Sequence, residues 1–214
     1  MSRTPLDGPS ALSGIIDVSR ETTERLAAFV ALIRKWQPVE NLISPKTVDA
    51  IWSRHVADSS ELTKIFPDPA RWLDLGTGAG FPGMVLAIAG ATGTHVDLVE
   101  SNRRKCAFLR AVIRETGAAA TVHEGRVETV LTGWTSPVDR ISARAVAPLG
   151  TLLSLAAPLM TAGTPAAFHK GTDWRREVEE AKRGWNFDVK AHATRSGEGL
   201  ILAISNLRKK PESA

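Results

Sequence analysis

Residues 72–83 read WLDLGTGAGFPG, an apolar run containing one acidic residue, Asp74, that leads into three glycines at alternate positions. The glycines are Gly76, Gly78 and Gly80. An apolar run of this kind is typical of a short buried strand, and glycine, which has no side chain, lets another group approach the backbone closely. The stretch therefore predicts a strand that ends in a ligand-binding turn.

The spacing of the glycines separates the ligand classes that use such turns. The dinucleotide fingerprint G-x-G-x-x-G, counted from Gly76, requires a glycine at position 81, where the chain has Phe81. A P-loop requires a lysine after its last glycine, but here Gly83 is followed by Met84. Both phosphate-binding motifs therefore fit badly.

The pattern D-x-G-x-G-x-G, which starts at Asp74, instead resembles motif I of the class I S-adenosylmethionine-dependent methyltransferases. Glu100 lies 24 positions after Gly76, at the end of the next apolar run. A carboxylate at that place can accept hydrogen bonds from both ribose hydroxyls of a nucleoside cofactor. We therefore predict S-adenosyl-L-methionine as the cofactor, bound by Asp74, the three glycines and Glu100.

Strand and helix signals alternate outward from this stretch. Apolar runs predict strands near residues 72–75, 95–100, 121–124, 138–144, 164–170, 187–194 and 199–207. Helical spacing predicts helices near 20–37, 47–54, 56–65, 102–117, 148–160 and 173–182, with one more bracketed by Pro82 and Gly90. This alternation predicts an α/β fold with a doubly wound, mainly parallel, Rossmann-like seven-stranded sheet whose last two strands form an antiparallel hairpin.

The same pattern suggests how the chain is organised. We expect a flexible lead over residues 1–18, an N-terminal helical extension over 19–66, a cofactor-binding domain over 67–207 and a basic tail over 208–214. No run approaches about 18 apolar residues, so no membrane span is predicted. The single cysteine, Cys106, excludes an internal disulfide and a cysteine-based zinc site, and we predict a soluble, cytoplasmic protein with no metal.

Absent motifs narrow the class of methyl acceptor. The segment 142–149, SARAVAPL, lacks the (N/D/S)-P-P-(Y/F) motif of enzymes that methylate exocyclic base amines. Cys106 lies on the apolar stripe of a predicted helix, which favours core packing over nucleophilic catalysis. A ring nitrogen with a free lone pair fits better, because it carries no proton to remove.

The charge pattern is compatible with a nucleic-acid partner. The net charge is +4 and the pI is about 9.5. On the predicted helix 102–117, Arg103, Arg110 and Arg114 fall in one line, with Arg104 beside them. A solvated helix face explains this line equally well, and the tail NLRKK is either a second phosphate contact or a frayed end.

Over residues 20–207 the chain resembles the 16S ribosomal RNA (guanine-527-N7) methyltransferases, also called glucose-inhibited division protein B. The resemblance rests on the following segments: NLIS (41–44), RHVADS (54–59), DLGTGAGFPG (74–83), LVES (98–101), GRVE (125–128), ISARA (141–145) and HKG (169–171). It implies methyl transfer from S-adenosylmethionine to N7 of one guanine in the small-subunit rRNA. The rRNA alone, an assembly intermediate or the finished small subunit all remain open as substrate, and we expect a monomer.

The resemblance also implies roles for particular residues. Gly76, Phe81, Val127, Glu128 and Arg144 match cofactor contacts of the family, and Arg144 is placed to reach both the methionine carboxylate and the acceptor. Lys170 is implied as a second catalytic candidate that binds phosphate or polarises the guanine carbonyl, with an ordinary exposed lysine as the alternative.

One further match concerns a possible RNA contact, and one position departs from the family pattern. Arg54 and His55, with Asp58 one turn later, match an N-terminal signature, which predicts either RNA contact or a structural cluster over the cofactor cleft. Where the family often has an arginine before the last strand, this chain has Gly199, and Arg195 is a possible substitute.

Three rival functions follow from the same residues. A methyltransferase for another RNA or a small molecule shares motif I. A nicotinamide-dependent oxidoreductase shares the glycine-rich turn, although Phe81 opposes it. A non-catalytic ribosome-binding protein would keep the fold without the chemistry.

Overall fold

A seven-stranded sheet forms the centre of the computed structural model, which describes residues 7–211. The strands are β1 (Arg71–Leu75), β2 (His95–Glu100), β3 (Ala120–Glu124), β4 (Arg140–Arg144), β5 (Ala166–Lys170), β6 (Trp185–Ala193) and β7 (Leu200–Lys209). Their order is β3-β2-β1-β4-β5-β7-β6, with β1 to β5 parallel and β7 antiparallel to both of its neighbours. The predicted α/β fold is confirmed, and the order reverses between β1 and β4, where open sheets of this kind bind ligands.

Seven α-helices accompany the sheet in residues 7–211. They are α1 (Arg20–Trp36), α2 (Ala57–Ile65), α3 (Gly83–Ala89), α4 (Arg103–Thr116), α5 (Val127–Thr132), α6 (Leu149–Met160) and α7 (Trp174–Ala181). Six of them fall within the predicted segments. The sequence prediction missed α5, because six residues are too few to establish a helical period.

Local signals explain the ends of the best-predicted helix, α4. The Asn102 side chain accepts hydrogen bonds from the backbone N–H groups of Arg104 and Lys105, which have no partner inside the helix. Gly117 ends the helix with a left-handed φ of +61°, a conformation that glycine adopts at little cost. Arg25 of α1 donates to the carbonyls of Thr116 and Gly117, and this contact joins the extension to the end of α4.

Alternate residues of β1 face opposite cores. Trp72 packs with α1, α2, α3 and α4, whereas Leu73 and Leu75 pack with α6, α7, β4 and β5. Burial on both faces explains why the strand reads as a nearly continuous apolar run. The helical extension belongs to the first core, since Phe29 and Trp52 are buried in the same cluster as Trp72.

The helical region before β1 differs from its prediction. Instead of helices at 47–54 and 56–65, a 3-10 segment (Pro45–Ala50) precedes a π-helical segment (Trp52–Val56) that continues directly into α2. The predicted break near residue 55 is therefore wrong. Buried Ile51, Trp52 and Val56 hold this segment together, although their spacing does not follow one regular helix.

The structure describes part of the predicted lead and part of the predicted tail. Within the predicted flexible lead, Leu12 and Ile15 are buried and the Asp7 carboxylate accepts a hydrogen bond of 2.6 Å from the Ser53 backbone, whereas residues 1–6 lie outside the described range. β7 continues to Lys209, so the first two residues of the predicted basic tail belong to the sheet, and residues 212–214 lie outside the description. Within residues 7–211, no helix has the length and hydropathy needed to cross a membrane.

Candidate functional site

The glycine-rich turn after β1 uses left-handed backbone at all three predicted glycines. The φ values are +61° at Gly76, +59° at Gly78 and +95° at Gly80. A Cβ at Gly80 would lie 2.8 Å from Cβ of Met84, so this glycine permits packing inside the protein. A Cβ at Gly76 would lie 2.7 Å from the Val146 side chain, on the side of the turn where a ligand cavity lies.

Asp74 holds the turn from within the protein. Its carboxylate has no exposed surface, accepts a hydrogen bond of 2.7 Å from Ser142 Oγ on β4 and accepts one of 3.1 Å from the Gly83 backbone at the start of α3. Burial raises the pKa of Asp74 to about 6, although these hydrogen bonds partly oppose the rise. Direct contact between Asp74 and a cofactor is therefore not supported, and the structure gives it a supporting position.

Glu100 ends β2 and presents its carboxylate at the sheet edge beside the turn. One oxygen accepts a hydrogen bond of 2.9 Å from the Gly78 backbone, and the other accepts one of 2.7 Å from the Asn102 backbone. Only 8% of the residue is exposed, and it lines a cavity. Two backbone donors therefore fix the carboxylate, and its remaining lone pairs can receive hydroxyl groups.

A cavity of about 300 Å³ lies beside Glu100 at the carboxyl edge of β1 and β2. It brings together four of the predicted cofactor residues: Gly76, Glu100, Val127 and Glu128. Val146, Leu155 and Thr151 close it from the loop after β4 and from α6. The cavity therefore combines a fixed hydrogen-bond acceptor for hydroxyls, a glycine without a side chain and an apolar side. This combination suits a nucleoside.

Phe81 lies outside this cavity lining and instead connects the turn with the helical extension. Its buried ring lies 5.2 Å from the Phe29 ring and 5.0 Å from the His55 ring, with which it stacks. His55 Nε2 is 2.9 Å from Thr47 Oγ1. Burial, with the positive charges of Arg144 and Arg54, lowers the pKa of His55 to about 3, so the ring is neutral.

A second cavity, of about 240 Å³, lies at the carboxyl ends of β4 and β5. It brings together the predicted residues Arg54, Arg144 and Lys170, with Gly199 at its edge. The loop after β4 separates the two cavities, because Ala145 lines the second one while Val146 and Ala147 line the first. A group in one cavity is therefore adjacent, across this short loop, to a group in the other.

Arg144 ends β4 and connects the second cavity with the helical extension. Its Nη2 donates a hydrogen bond of 2.8 Å to the Arg54 carbonyl, while its buried Nη1 has no partner among residues 7–211. Burial lowers the pKa of Arg144 from its ordinary value and the Arg54 charge lowers it further, although Asp58 opposes this. A guanidinium stays protonated in proteins, so Nη1 is a buried cationic donor on a residue that lines the cavity.

The signature around Asp58 closes the second cavity. The Asp58 carboxylate accepts hydrogen bonds from the backbone N–H (3.0 Å) and the hydroxyl (2.8 Å) of Ser196, in the loop between β6 and β7. Its carbonyl is 3.1 Å from Nε2 of His169 on β5. Arg54 forms an ion pair with Glu198 in the same loop. These contacts support the structural interpretation of Arg54 and Asp58, since both side chains hold the extension against the loop.

Lys170 is buried and paired, which is not what an ordinary exposed lysine does. Its Nζ lies 2.6 Å from a Glu177 carboxylate oxygen on α7 and donates a hydrogen bond of 2.9 Å to the Ala147 carbonyl. Its side chain is only 8% exposed. The exposed-lysine alternative is therefore wrong, and two of the three donors of the ammonium group already have partners. In this arrangement Lys170 positions the loop between the two cavities.

The predicted line of arginines on α4 starts at the cofactor cavity and leads away from it. Arg103 and Arg104 lie in the first helical turn after Glu100, whereas Arg114 lies about 16 Å further along the axis. Arg110 forms an ion pair of 3.1 Å with Glu124, and Arg104 lies 4.0 Å from Glu40. Within residues 7–211, Arg103 and Arg114 form no ion pair, and both residues are exposed.

The departure at Gly199 has a structural reason. A Cβ at this position would lie 2.8 Å from the Lys170 carbonyl, so an arginine there requires the backbone to move. Arg195 does not line the second cavity, and its Nη1 lies on the side of Gly14 instead. The suggested substitution by Arg195 is therefore not supported.

Several residues around the second cavity were not predicted as site residues: His169, Glu177, Ser196 and Glu198. The HKG segment contains His169 and was the one available signal for it. Ser196 reaches Asp58 across 138 positions of sequence, and no local pattern indicates such a contact. Within residues 7–211, no three His, Cys, Asp or Glu side chains converge on a metal-binding arrangement.

Comparisons with known proteins agree with this geometry. Residues 22–200 match a family model described as rRNA small subunit methyltransferase G. A protein called ribosomal RNA small subunit methyltransferase G from Methylorubrum populi is 51% identical over 196 residues, which cover 90% of this chain and 92% of that protein. A protein of the same name from Rhodopseudomonas palustris is 46% identical over 203 residues, covering 94% and 87% respectively.

A solved structure supports the fold independently of these sequence matches. The O-methyltransferase from Bacillus cereus, determined in complex with SAH, superposes with a TM-score of 0.57 over 92% of this chain and 95% of its own. The two sequences are 15% identical, so the likeness concerns the fold alone.

Proposed function

Because the chain belongs to the rRNA small subunit methyltransferase G family, we propose that it transfers the methyl group of S-adenosylmethionine to N7 of guanine 527 in 16S rRNA. The observation that supports this most directly is the pair of cavities on either side of residues 145–147. One has the groups that suit a nucleoside cofactor, and the other has a buried cationic donor that suits a base carbonyl. The oxidoreductase and the non-catalytic alternatives are not favoured by these findings.

S-adenosylmethionine supplies a methyl group on a positively charged sulfur. The residues of the first cavity fit this cofactor, because Glu100 can accept both ribose hydroxyls and Val127 and Leu155 offer an apolar surface to adenine. Gly76 lets the Val146 side chain pack against the turn, because a Cβ at this position would lie 2.7 Å from Val146 Cγ2. Glu128 adds a carboxylate at the same rim.

The methyl transfer itself requires little acid–base chemistry from the protein. The N7 lone pair forms a bond to the methyl carbon while the carbon–sulfur bond breaks, and sulfur keeps that electron pair. The positive charge moves from sulfur to the guanine ring, and no proton is removed. Catalysis then depends on positioning, with Arg144 holding the acceptor and Lys170 holding the loop that both cavities share.

The protein acts on rRNA, and we propose 16S rRNA, the small ribosomal subunit or its assembly intermediate as the form that it meets in the cytoplasm. Arg103 and Arg114, which are free of ion pairs within residues 7–211, extend the site along α4 as phosphate contacts. We expect the protein to act as a monomer.

The test is chemical analysis of 16S rRNA from cells that lack this gene. We expect one N7-methylguanine to disappear, to return when the wild-type gene is restored, and to stay absent when the Glu100→Ala gene is supplied. An unchanged modification profile in the deletion strain would contradict the proposal.

A further inference from the structure

Three buried polar atoms of residues at the second cavity have no partner among residues 7–211: Nε of Arg54, Nη1 of Arg144 and Nδ1 of His169. All three residues line the cavity, and Arg144 and His169 are paired at the ends of β4 and β5. Buried polar atoms in proteins are almost always hydrogen-bonded, and an unpaired one is costly. The Arg144 donor and the His169 acceptor belong to paired residues of neighbouring strands, which suits the edge of a ligand that carries an acceptor next to a donor.

The role of the His169 ring as an acceptor follows from its contacts. Nε2 lies 3.1 Å from the Asp58 carbonyl, which can only accept, so Nε2 carries the proton. Burial, and then the charge of Arg144, lower the pKa of His169 to about 3, so the ring stays neutral near pH 7. Nδ1 therefore keeps its lone pair and cannot donate.

We infer that His169 selects guanine as the acceptor base, with Nδ1 accepting from guanine N1–H while Arg144 Nη1 donates to O6. This inference rests on the proposed function. Guanine presents the acceptor O6 beside the donor N1–H, whereas adenine presents the donor N6 beside the acceptor N1. Adenine would therefore set donor against donor at Arg144 and acceptor against acceptor at His169.

The strand order orients N7 of such a guanine towards the cofactor. On the purine ring O6 lies between N1 and N7. In the sheet β4, which carries Arg144, lies between β5, which carries His169, and β1, which leads to the glycine-rich turn. A guanine with N1 at His169 and O6 at Arg144 therefore directs N7 towards the cofactor cavity. Specificity and reactive geometry follow from the same two hydrogen bonds.

Two substitutions of His169 distinguish recognition of the base from support of the fold. In His169→Gln the amide nitrogen can take the place of Nε2 and keep the bond to the Asp58 carbonyl, while the acceptor at Nδ1 is lost. In His169→Asn the amide oxygen can take the place of Nδ1 and keep the acceptor, while the bond to Asp58 is lost. The substrates are small subunits with guanine or adenine at the target position, and kcat/KM for methyl transfer is measured on both.

We expect His169→Gln to lower kcat/KM on the guanine substrate by about 10- to 100-fold, the cost of one unpaired base contact, and to reduce the ratio of guanine to adenine transfer. His169→Asn should keep a ratio close to that of the wild type. Calorimetry with S-adenosylmethionine and thermal unfolding confirm that both variants are folded and bind the cofactor.

An unchanged guanine-to-adenine ratio in His169→Gln would overturn the inference. Equal losses in both variants would do the same, because His169 would then only support Asp58. A wild-type protein that methylates neither substrate would overturn the proposed function, and the inference with it.

Discussion

Replacing Glu100 with alanine should weaken cofactor binding more than any other single change in the first cavity. The side chain is buried and fixed by the backbone of Gly78 and Asn102, so its carboxylate is already oriented before the ligand arrives. Two ribose hydroxyls donating to a charged carboxylate contribute about 1.5–3 kcal/mol each, or about 3–6 kcal/mol together. At about 1.4 kcal/mol for each factor of ten, the Kd for S-adenosylmethionine should rise by at least about 100-fold.

Isothermal titration calorimetry measures this change directly, and Glu124→Ala is the matched control. Glu124 ends the neighbouring strand β3 and pairs with Arg110 outside the cavity, so its removal should leave the Kd nearly unchanged. S-adenosylhomocysteine without its 2′-hydroxyl provides a second check: the wild type should bind it more weakly than the parent compound, and Glu100→Ala should bind the two equally. A Glu100→Ala variant that is folded and binds with wild-type affinity would refute the reasoning.

Three further changes test other parts of the structure. Asp74→Asn should alter the pH dependence of stability. Burial raises the folded pKa of Asp74 from 3.8 to about 6, so the carboxyl group favours folding most below about pH 4. The free energy of unfolding of the wild type, relative to that of the variant, should therefore fall by up to about 3 kcal/mol as pH rises from 4 to 7. Urea unfolding at several pH values measures this, and a difference that does not depend on pH would contradict it. Gly80→Ala should destabilise the protein by about 2–4 kcal/mol in the same assay, because its Cβ would meet Met84 at 2.8 Å on left-handed backbone, whereas Gly78→Ala, with no contact closer than 3.9 Å, should cost only about 1 kcal/mol. Equal losses of stability in the two variants would show that contact with Met84 does not determine the cost of a side chain at Gly80. Arg144→Ala should reduce methyl transfer by about 100- to 1000-fold while the far-ultraviolet circular dichroism spectrum and a cooperative thermal transition are kept, and full turnover by this variant would remove Arg144 from the mechanism.

A strand or helix could be predicted from the sequence where its burial pattern is regular and its ends carry local signals. β2 was predicted at its observed bounds, His95–Glu100, because every one of its last five residues is buried. α4 was predicted to within one residue at its ends, because an amphipathic period lies between a capping asparagine and a glycine. α5 was missed because its six residues carry one buried side chain, Val127.

The first cavity was more predictable than the second for a physical reason. Gly76 and Val127 follow β1 and β3, and Glu100 ends β2 between them, so their position at one edge follows from the strand order alone. The second cavity depends on an antiparallel β7 and on a loop that reaches Asp58 from Ser196. Neither the register of that hairpin nor the burial of Lys170 against Glu177 has a local sequence signal.

The helical extension is part of the site and not an appended unit. Its Phe29 and His55 pack against Phe81 of the glycine-rich turn, and its Arg54 carbonyl receives the Arg144 guanidinium. Disturbing the extension should therefore change both cavities, although the extension provides no strand of the sheet.

Transfer of tritiated methyl from S-adenosylmethionine measures the proposed reaction itself. The acceptors are small ribosomal subunits and protein-free 16S rRNA from cells that lack this gene, and cleavage at N7-methylguanine locates the product. We expect label at a single guanine, position 527, in at least one of the two acceptors. A protein that binds S-adenosylmethionine but labels neither acceptor, or labels another base, would contradict it.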